Sequence, residues 1–152
     1  MQTENEGVSV EDLVFAITSV TAASAAARGQ GDLKTVAVLS KFYALVAENV
    51  SSSDGRVVKV MGDGVLVVFP AARARQAAEA LRLVQSSGTA LWSAFDARCR
   101  VQVRAGAGRL ACGAMGPPGE QRFDVYGTPL NDLFKLPSGD FVTTSELASL
   151  LS

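Results

Sequence analysis

The sequence predicts an α+β sandwich in a single domain, and three observations carry that prediction. Strand-like and helix-like segments are mixed along the chain rather than strictly alternating, which argues against a doubly wound sheet. In the middle, Arg56-Val57-Val58-Lys59-Val60-Met61-Gly62-Asp63-Gly64-Val65-Leu66-Val67-Val68-Phe69 reads as two apolar, β-branched runs joined across Asp63-Gly64, a strong hairpin signal. The 152 residues are 48% hydrophobic and 19% charged, enough for one folded domain with its own core.

Residues 1–9 read as a disordered tail, which leaves 10–152 for the domain. Leu13 to Val20 is a short apolar run suited to a buried strand. Ala22 to Arg28 is Ala-rich and is broken by Gly29-Gln30-Gly31. From Asp32, a plausible N-cap, Val36, Leu39, Tyr43, Val46 and Val50 recur at helical steps until Ser51-Ser52-Ser53-Asp54-Gly55. After the hairpin, Ala71 to Val84 reads as a second helix (Ala74, Ala77, Ala78, Leu81 and Val84) stopped by Ser86-Ser87-Gly88.

Residues 100–105 alternate as a strand, with Leu110 to Met115 as its expected hairpin partner. Gly116-Pro117-Pro118-Gly119 is a loop, and Arg122 to Tyr126 a further strand. Asn131 to Leu136 reads as one helical turn before Pro137-Ser138-Gly139. Phe141 to Thr144 is the last expected strand, and a terminal helix follows with Ser145 as its cap. There is no internal repeat.

Composition narrows the function classes. The net charge is −1 with no basic run, so nucleic acid is not an expected partner. No apolar stretch reaches the about 18 residues of a membrane span, and Met1 to Gly7 is too acidic and polar for a secretory signal. Cys99 and Cys112 lack metal-ligand spacing and read as reduced thiols of a cytoplasmic protein. With no histidine in the chain, His-based triads and His-ligated zinc are excluded. Gly106-Ala107-Gly108-Arg109-Leu110-Ala111 imitates a dinucleotide fingerprint, but Cys112-Gly113-Ala114-Met115-Gly116-Pro117 is a poor helix to follow it.

The hairpin carries two polar groups of interest. Asp63 is good turn chemistry in its own right, and Lys59 interrupts an otherwise apolar run. Met61-Gly62-Asp63-Gly64-Val65-Leu66-Val67-Val68-Phe69 also closely resembles the central motif of class III nucleotidyl cyclases, the adenylate/guanylate cyclase catalytic domains. Phe123-Asp124-Val125-Tyr126-Gly127-Thr128-Pro129-Leu130-Asn131 is similar to a second segment of that family. The resemblance spans about residues 12 to 147 and is strongest at 41–69 and 123–136.

What it implies is specific. The fold would be a ferredoxin-like α+β sandwich, a mostly antiparallel central sheet flanked by helices, working as a head-to-tail dimer with ATP between subunits. Asp63 would be a metal ligand, Lys59 and Asp124 would contact the base, Asn131 would orient the ribose, and Lys135 would face the phosphates. A Lys donor and an Asp acceptor suit adenine, which offers an acceptor at N1 and a donor at N6. Cyclisation would be in-line attack of the ribose 3′-hydroxyl on the α-phosphorus, releasing pyrophosphate, assisted by two Mg²⁺ or Mn²⁺ ions.

Two departures from the pattern bear on activity. The family's first metal Asp lies in a strand motif resembling Phe-Ala-Asp-Ile-x-Gly-Phe-Thr. Its match here, Val14-Phe15-Ala16-Ile17-Thr18-Ser19-Val20-Thr21, puts Ala16 in the carboxylate's place and Ser19 in that of a glycine. Asp12 could serve only in a register that leaves almost no strand before it. Lys135 stands where the family has a transition-state Arg; it keeps the charge and loses the planar fork. The expected function is therefore a degenerate cyclase homology domain, silent or weak alone, that binds ATP at a dimer interface. The alternatives are an active adenylate cyclase, as a homodimer or as half of a heterodimer, and a purely structural dimerisation or regulatory domain.

Overall fold

The computed structural model describes residues 7–152. One sheet takes its strands from β1 (Val8–Val20), β2 (Arg56–Met61), β3 (Gly64–Pro70), β4 (Val101–Met115), β5 (Arg122–Tyr126) and β6 (Phe141–Thr143). The strand order is β2-β3-β1-β4-β5, all antiparallel, and the short β6 lies parallel to β4. The helices are α1 (Ala23–Gln30), α2 (Asp32–Ser51), α3 (Ala74–Phe95), α4 (Thr128–Asn131) and α5 (Ser145–Leu151). The expected mostly antiparallel sheet flanked by helices is what forms.

Strand β1 begins at Val8, so the expected tail over residues 1–9 gives up Val8 and Ser9 to the sheet. Residues 1–6 of that tail lie outside the described residues. Alternation along β1 divides the interior in two. Val14, Ala16 and Val20 enter the larger core under α2 and α3, with Phe42, Val46, Leu81 and Trp92. Phe15 enters a smaller core on the other face, with Leu66, Val68, Leu110, Val125 and Leu133.

Several expected boundaries move, each for a packing reason. Residues 101–115 form one continuous strand instead of a hairpin, because β1 pairs with it from Val20↔Val101 to Val8↔Gly113. Gly106 and Gly108 make no bend there. A Cβ on Gly106 would sit 2.9 Å from the Phe15 ring, and one on Gly108 2.8 Å from Pro129, so these glycines let the second core and α4 approach the sheet. On α2 the buried face is Val38, Phe42, Val46 and Val50, and Val36 is exposed. Asp32 lies in the first turn of α2, after Gly31 at the cap position, and Thr144 rather than Ser145 caps α5 by accepting the Leu147 N–H.

Helix α3 runs straight through Ser86-Ser87-Gly88, where the sequence reads a stop. A Cβ at position 88 would lie 2.9 Å from Val101 Cγ2 and 3.0 Å from Phe42 Cε1. The glycine is therefore a packing device that seats α3 against α2 and β4. Beyond it, Trp92 meets Phe42 and Phe95 edge-on, at ring-centroid distances of 6.0 and 5.7 Å. Helix propensity alone favours Gly88→Ala, but the overpacking opposes it. The variant is expected to lose about 1–3 kcal/mol in urea denaturation. A more stable variant would show that the contact relaxes freely.

Candidate functional site

Lys59 reaches its position through an irregularity. Arg56 pairs with Val68 and Val57 with Val67, but Lys59 pairs with Leu66, which leaves Val58 as an extra residue. Without this bulge Lys59 would pair with Val65 and turn toward the helix-side core; bulges re-aim side chains in this way. With it, Val58 packs on the smaller core and Lys59 lines a cavity of about 220 Å³ with Ile17, Gly64, Leu66, Leu130 and Leu133.

Strands β2 and β5 stand at opposite ends of the hydrogen-bonded strand path, yet their side chains meet. The Lys59 Nζ donates to Asp124 Oδ2 at 3.2 Å, and the Arg56 guanidinium lies 3.6 Å from the centre of the Phe123 ring. The sheet is therefore curled until its edges touch. Asp124 is steadied by accepting the Val125 N–H on its other oxygen, at 2.8 Å. The Lys59 and Asp124 side chains remain 51% and 32% exposed, and a pair this accessible contributes about 0–1 kcal/mol, so an incoming ligand displaces it readily.

The hairpin closes one residue earlier than its sequence reads, on Gly62-Asp63, with Met61 opposite Gly64. Gly62 takes φ +61° and Asp63 a negative φ, the pattern of a type II′ turn. The buried Thr18 pins this tip: its hydroxyl donates to the Asp63 carbonyl at 2.7 Å and accepts the Val65 N–H at 2.9 Å. The Asp63 carboxylate accepts the Val20 N–H at 2.6 Å, and the Tyr43 hydroxyl of α2 donates to the Gly62 carbonyl at 2.6 Å. Burial first, and then the Asp63 charge, hold the Tyr43 hydroxyl above the usual phenol range.

Ala16 does not face this site. It is 0% exposed in the helix-side core, between Val67 and Ala105. Ala16, the residue expected in the carboxylate's place, thus packs in the helix-side core, while its neighbour Ile17 lines the cavity.

Asn131 and Lys135 are both exposed but do not share a face. Thr128–Asn131 is a single α-turn, and Asp132–Lys135 continues as a 3₁₀ helix. A tighter helix superposes every third residue. Leu130, Leu133 and Leu136 accordingly all pack on the smaller core, and Lys135 lies over Asp132, 3.9 Å away, rather than over Asn131. Sequence reasoning passed over Arg104. It lies opposite Ile17 across β1 and β4, half-buried, and its Nε is buried without a hydrogen-bond partner. The available signal was a single Arg among Val101, Val103 and Ala105.

No protein-family model matches the chain, and no curated protein sequence does. Solved structures do match it. The guanylyl cyclase Cya2 superposes with a TM-score of 0.85 at 14% identity, over 96% of this chain and 81% of that one. The adenylyl cyclase CyaB from P. aeruginosa gives 0.85 at 14%, over 95% and 82%. A class III adenylyl cyclase-like ATP-binding protein from Pseudomonas aeruginosa gives 0.76 at 13%, over 94% of this chain but only 35% of that one. The chain has the class III cyclase fold.

Within that cyclase fold the donor set does not fit a two-metal centre. Among the described residues no group of three or more His, Cys, Asp or Glu side chains is placed to hold a metal ion. Asp63 is one carboxylate, already engaged by the Val20 N–H, and the cavity that Ile17 and Lys59 line has no acid among its lining residues. Mg²⁺ is held through one or two carboxylates plus substrate phosphates, and Asp63 supplies one carboxylate where two ions would share it. No described helix is long and apolar enough to cross a membrane.

The parity of β1 is testable by substitution. Ala16→Asp buries an unpaired carboxylate and is expected to lose about 3 kcal/mol or more, whereas Ile17→Asp, at the cavity wall, folds with a smaller loss. Urea denaturation of the two variants decides it, and equal losses would contradict the assigned faces. The Tyr43 contact gives a pH signature. A phenol whose folded pKa is raised contributes stability that is full below the unfolded value of about 10 and is lost as pH rises through the folded value. Tyr43→Phe is therefore expected to flatten the alkaline fall in melting temperature above about pH 10. An unchanged alkaline limb would sever Tyr43 from it.

Proposed function

We propose that this chain is a catalytically silent cyclase homology domain that binds a purine nucleoside triphosphate, with ATP preferred, where two cyclase-fold chains pair. The observation that carries the reading is the Lys59–Asp124 pair. A bulge and a curled sheet bring a donor and an acceptor from opposite sheet edges to 3.2 Å, beside an apolar cavity. That combination matches the N1 and N6 positions of adenine. Arg104, on the same sheet face as Ile17, supplies a cation for the phosphates. The ATP-binding neighbour from Pseudomonas aeruginosa supports binding by a chain of this fold.

Silence follows from the other half of the chemistry. Asp63 would have to serve two ions alone, and Lys135 sits over Asp132 in a 3₁₀ turn cut off by Pro137. A second reading is supported by the asymmetry itself. The base-reading pair is intact and the metal side is not, so in a head-to-tail dimer this chain can complete a site whose metal carboxylates come from a partner. Exposed Met61 and Phe134, 72% and 65% accessible at the cavity rim, offer that partner an apolar surface. The occupants proposed are a second copy or another cyclase domain, in the cytoplasm.

The purified chain is expected to bind a non-hydrolysable ATP analogue in calorimetry, and Lys59→Ala to weaken it about tenfold or more, the loss of a charge-assisted hydrogen bond. Alone, with Mg-ATP or Mn-ATP, it is expected to form no cyclic AMP above background. Turnover near the about 10 s⁻¹ of an ordinary enzyme would end the silent reading. An absence of binding at millimolar analogue would end the nucleotide reading.

A further inference from the structure

We infer that Arg56 is a specificity-positioning residue: its guanidinium, seated on Phe123, sets the spacing of the sheet edges at which Lys59 and Asp124 read a purine. This inference rests on the nucleotide reading above and adds to it the element that tunes base selection.

The backbone does not hold the two edges together. Strands β2 and β5 are the two ends of the strand path and share no backbone ladder. Strand β2 is bulged at Val58, which interrupts its ladder to β3 next to Lys59. Beside Arg56 and Phe123 lies an open groove of about 360 Å³, while Val58 of β2 and Phe123 of β5 both pack on the smaller core. Side-chain contacts have to set the spacing of the edges. Lys59–Asp124 is one of them, but it is the pair a nucleotide must engage, so it cannot also be the brace.

Arg56 has the right properties for that brace. It lies three residues before Lys59, and Phe123 adjoins Asp124 directly. Phe123 is half-buried and anchored in the smaller core, so it offers a fixed platform. Among the described residues Arg56 makes no ion pair, since the nearby Asp54 is bound to Arg73, and its guanidinium is committed to the ring at 3.6 Å. A planar guanidinium on an aromatic face resists sliding and tilting more than a point charge does.

The consequence for recognition is geometric. On adenine, N1 and N6 are neighbouring edge atoms, and their donor and acceptor partners have to lie side by side. Lys59 and Asp124 at 3.2 Å are already so placed. Guanine reverses the donor and acceptor pattern on that edge, so a rigid pair rejects it. A pair whose spacing drifts can engage either base through one member. Loss of the clamp should then lower discrimination more than affinity.

The experiment compares wild type, Arg56→Gln and Arg56→Lys by two readouts. The first is the ratio of affinities for non-hydrolysable ATP and GTP analogues in calorimetry. The second is hydrogen exchange of the 122–126 amides without nucleotide. Arg56→Gln is expected to speed exchange in that segment and to cut the ATP-to-GTP ratio about two- to fivefold, the range of a surface cation–π contact, with Arg56→Lys restoring part of both. Faster exchange with an unchanged ratio would overturn the specificity role. Both readouts unchanged would overturn the clamp itself. If wild type binds neither analogue while Arg56→Gln still exchanges faster, the nucleotide reading fails and Arg56 is left as a brace of the sheet alone.

Discussion

Strand β1 is the constraint on which the rest of the molecule depends. It is laddered on both sides, to β3 and along its whole length to β4. A strand buried in this way has no freedom to slip, because a one-residue shift would exchange the two core faces along its entire length. Its alternate residues therefore distribute the chemistry. Thr18 and the Val20 N–H hold the hairpin tip, Ile17 faces the cavity, Phe15 seeds the smaller core, and Val14 and Ala16 seat the helices. Lys59, Asp63 and Asp124 reach their places through contact with this strand or through the curl of the sheet around it.

That dependence explains what the sequence could and could not reveal. The hairpin, β5 and the terminal helix were legible because each announces itself locally, through turn residues, alternation and a cap. The pairing of Lys59 with Asp124 was legible only through resemblance, since nothing local links positions 65 residues apart. The bulge at Val58 left no signal in an unbroken run of Val, Lys and Met. Gly88 and Gly106 read as a stop and a bend because glycine is ambiguous: the same residue marks a turn in one setting and close packing in another. Which core Ala16 and Ile17 each face was not legible, since the apolar run Leu13 to Val20 has no regular polar alternation to fix its parity.

The segment 128–136 shows a further limit. The spacing of Asn131 and Lys135 suits one face of an α-helix, but Leu130, Leu133 and Leu136 recur at three. Those leucines all find the smaller core, and the backbone tightens to a 3₁₀ helix to satisfy them. Packing here outweighs the hydrogen-bond preference for the α form, and the polar residues follow wherever the leucines send them. Asn131 and Lys135, both assigned through the family resemblance, are thereby set on different faces.

Taken together, these placements separate recognition from catalysis. On the proposed reading, base recognition needs one donor and one acceptor at fixed spacing, and Lys59 and Asp124 of the two sheet edges would supply them. Phosphoryl transfer needs paired charges brought to bear on a developing transition state, and such groups act as a unit rather than additively. On the proposed reading, a missing second carboxylate removes more than its own share, because Asp63 and Lys135 would have no metal centre to act with. On that reading the groups left to bind the ground state are the edge pair, the cavity and the unpartnered Arg104 nitrogen. If the proposed function holds, such a domain would respond to nucleotide without consuming it, and the energy of binding would appear as a tighter pairing of the chains that share the site.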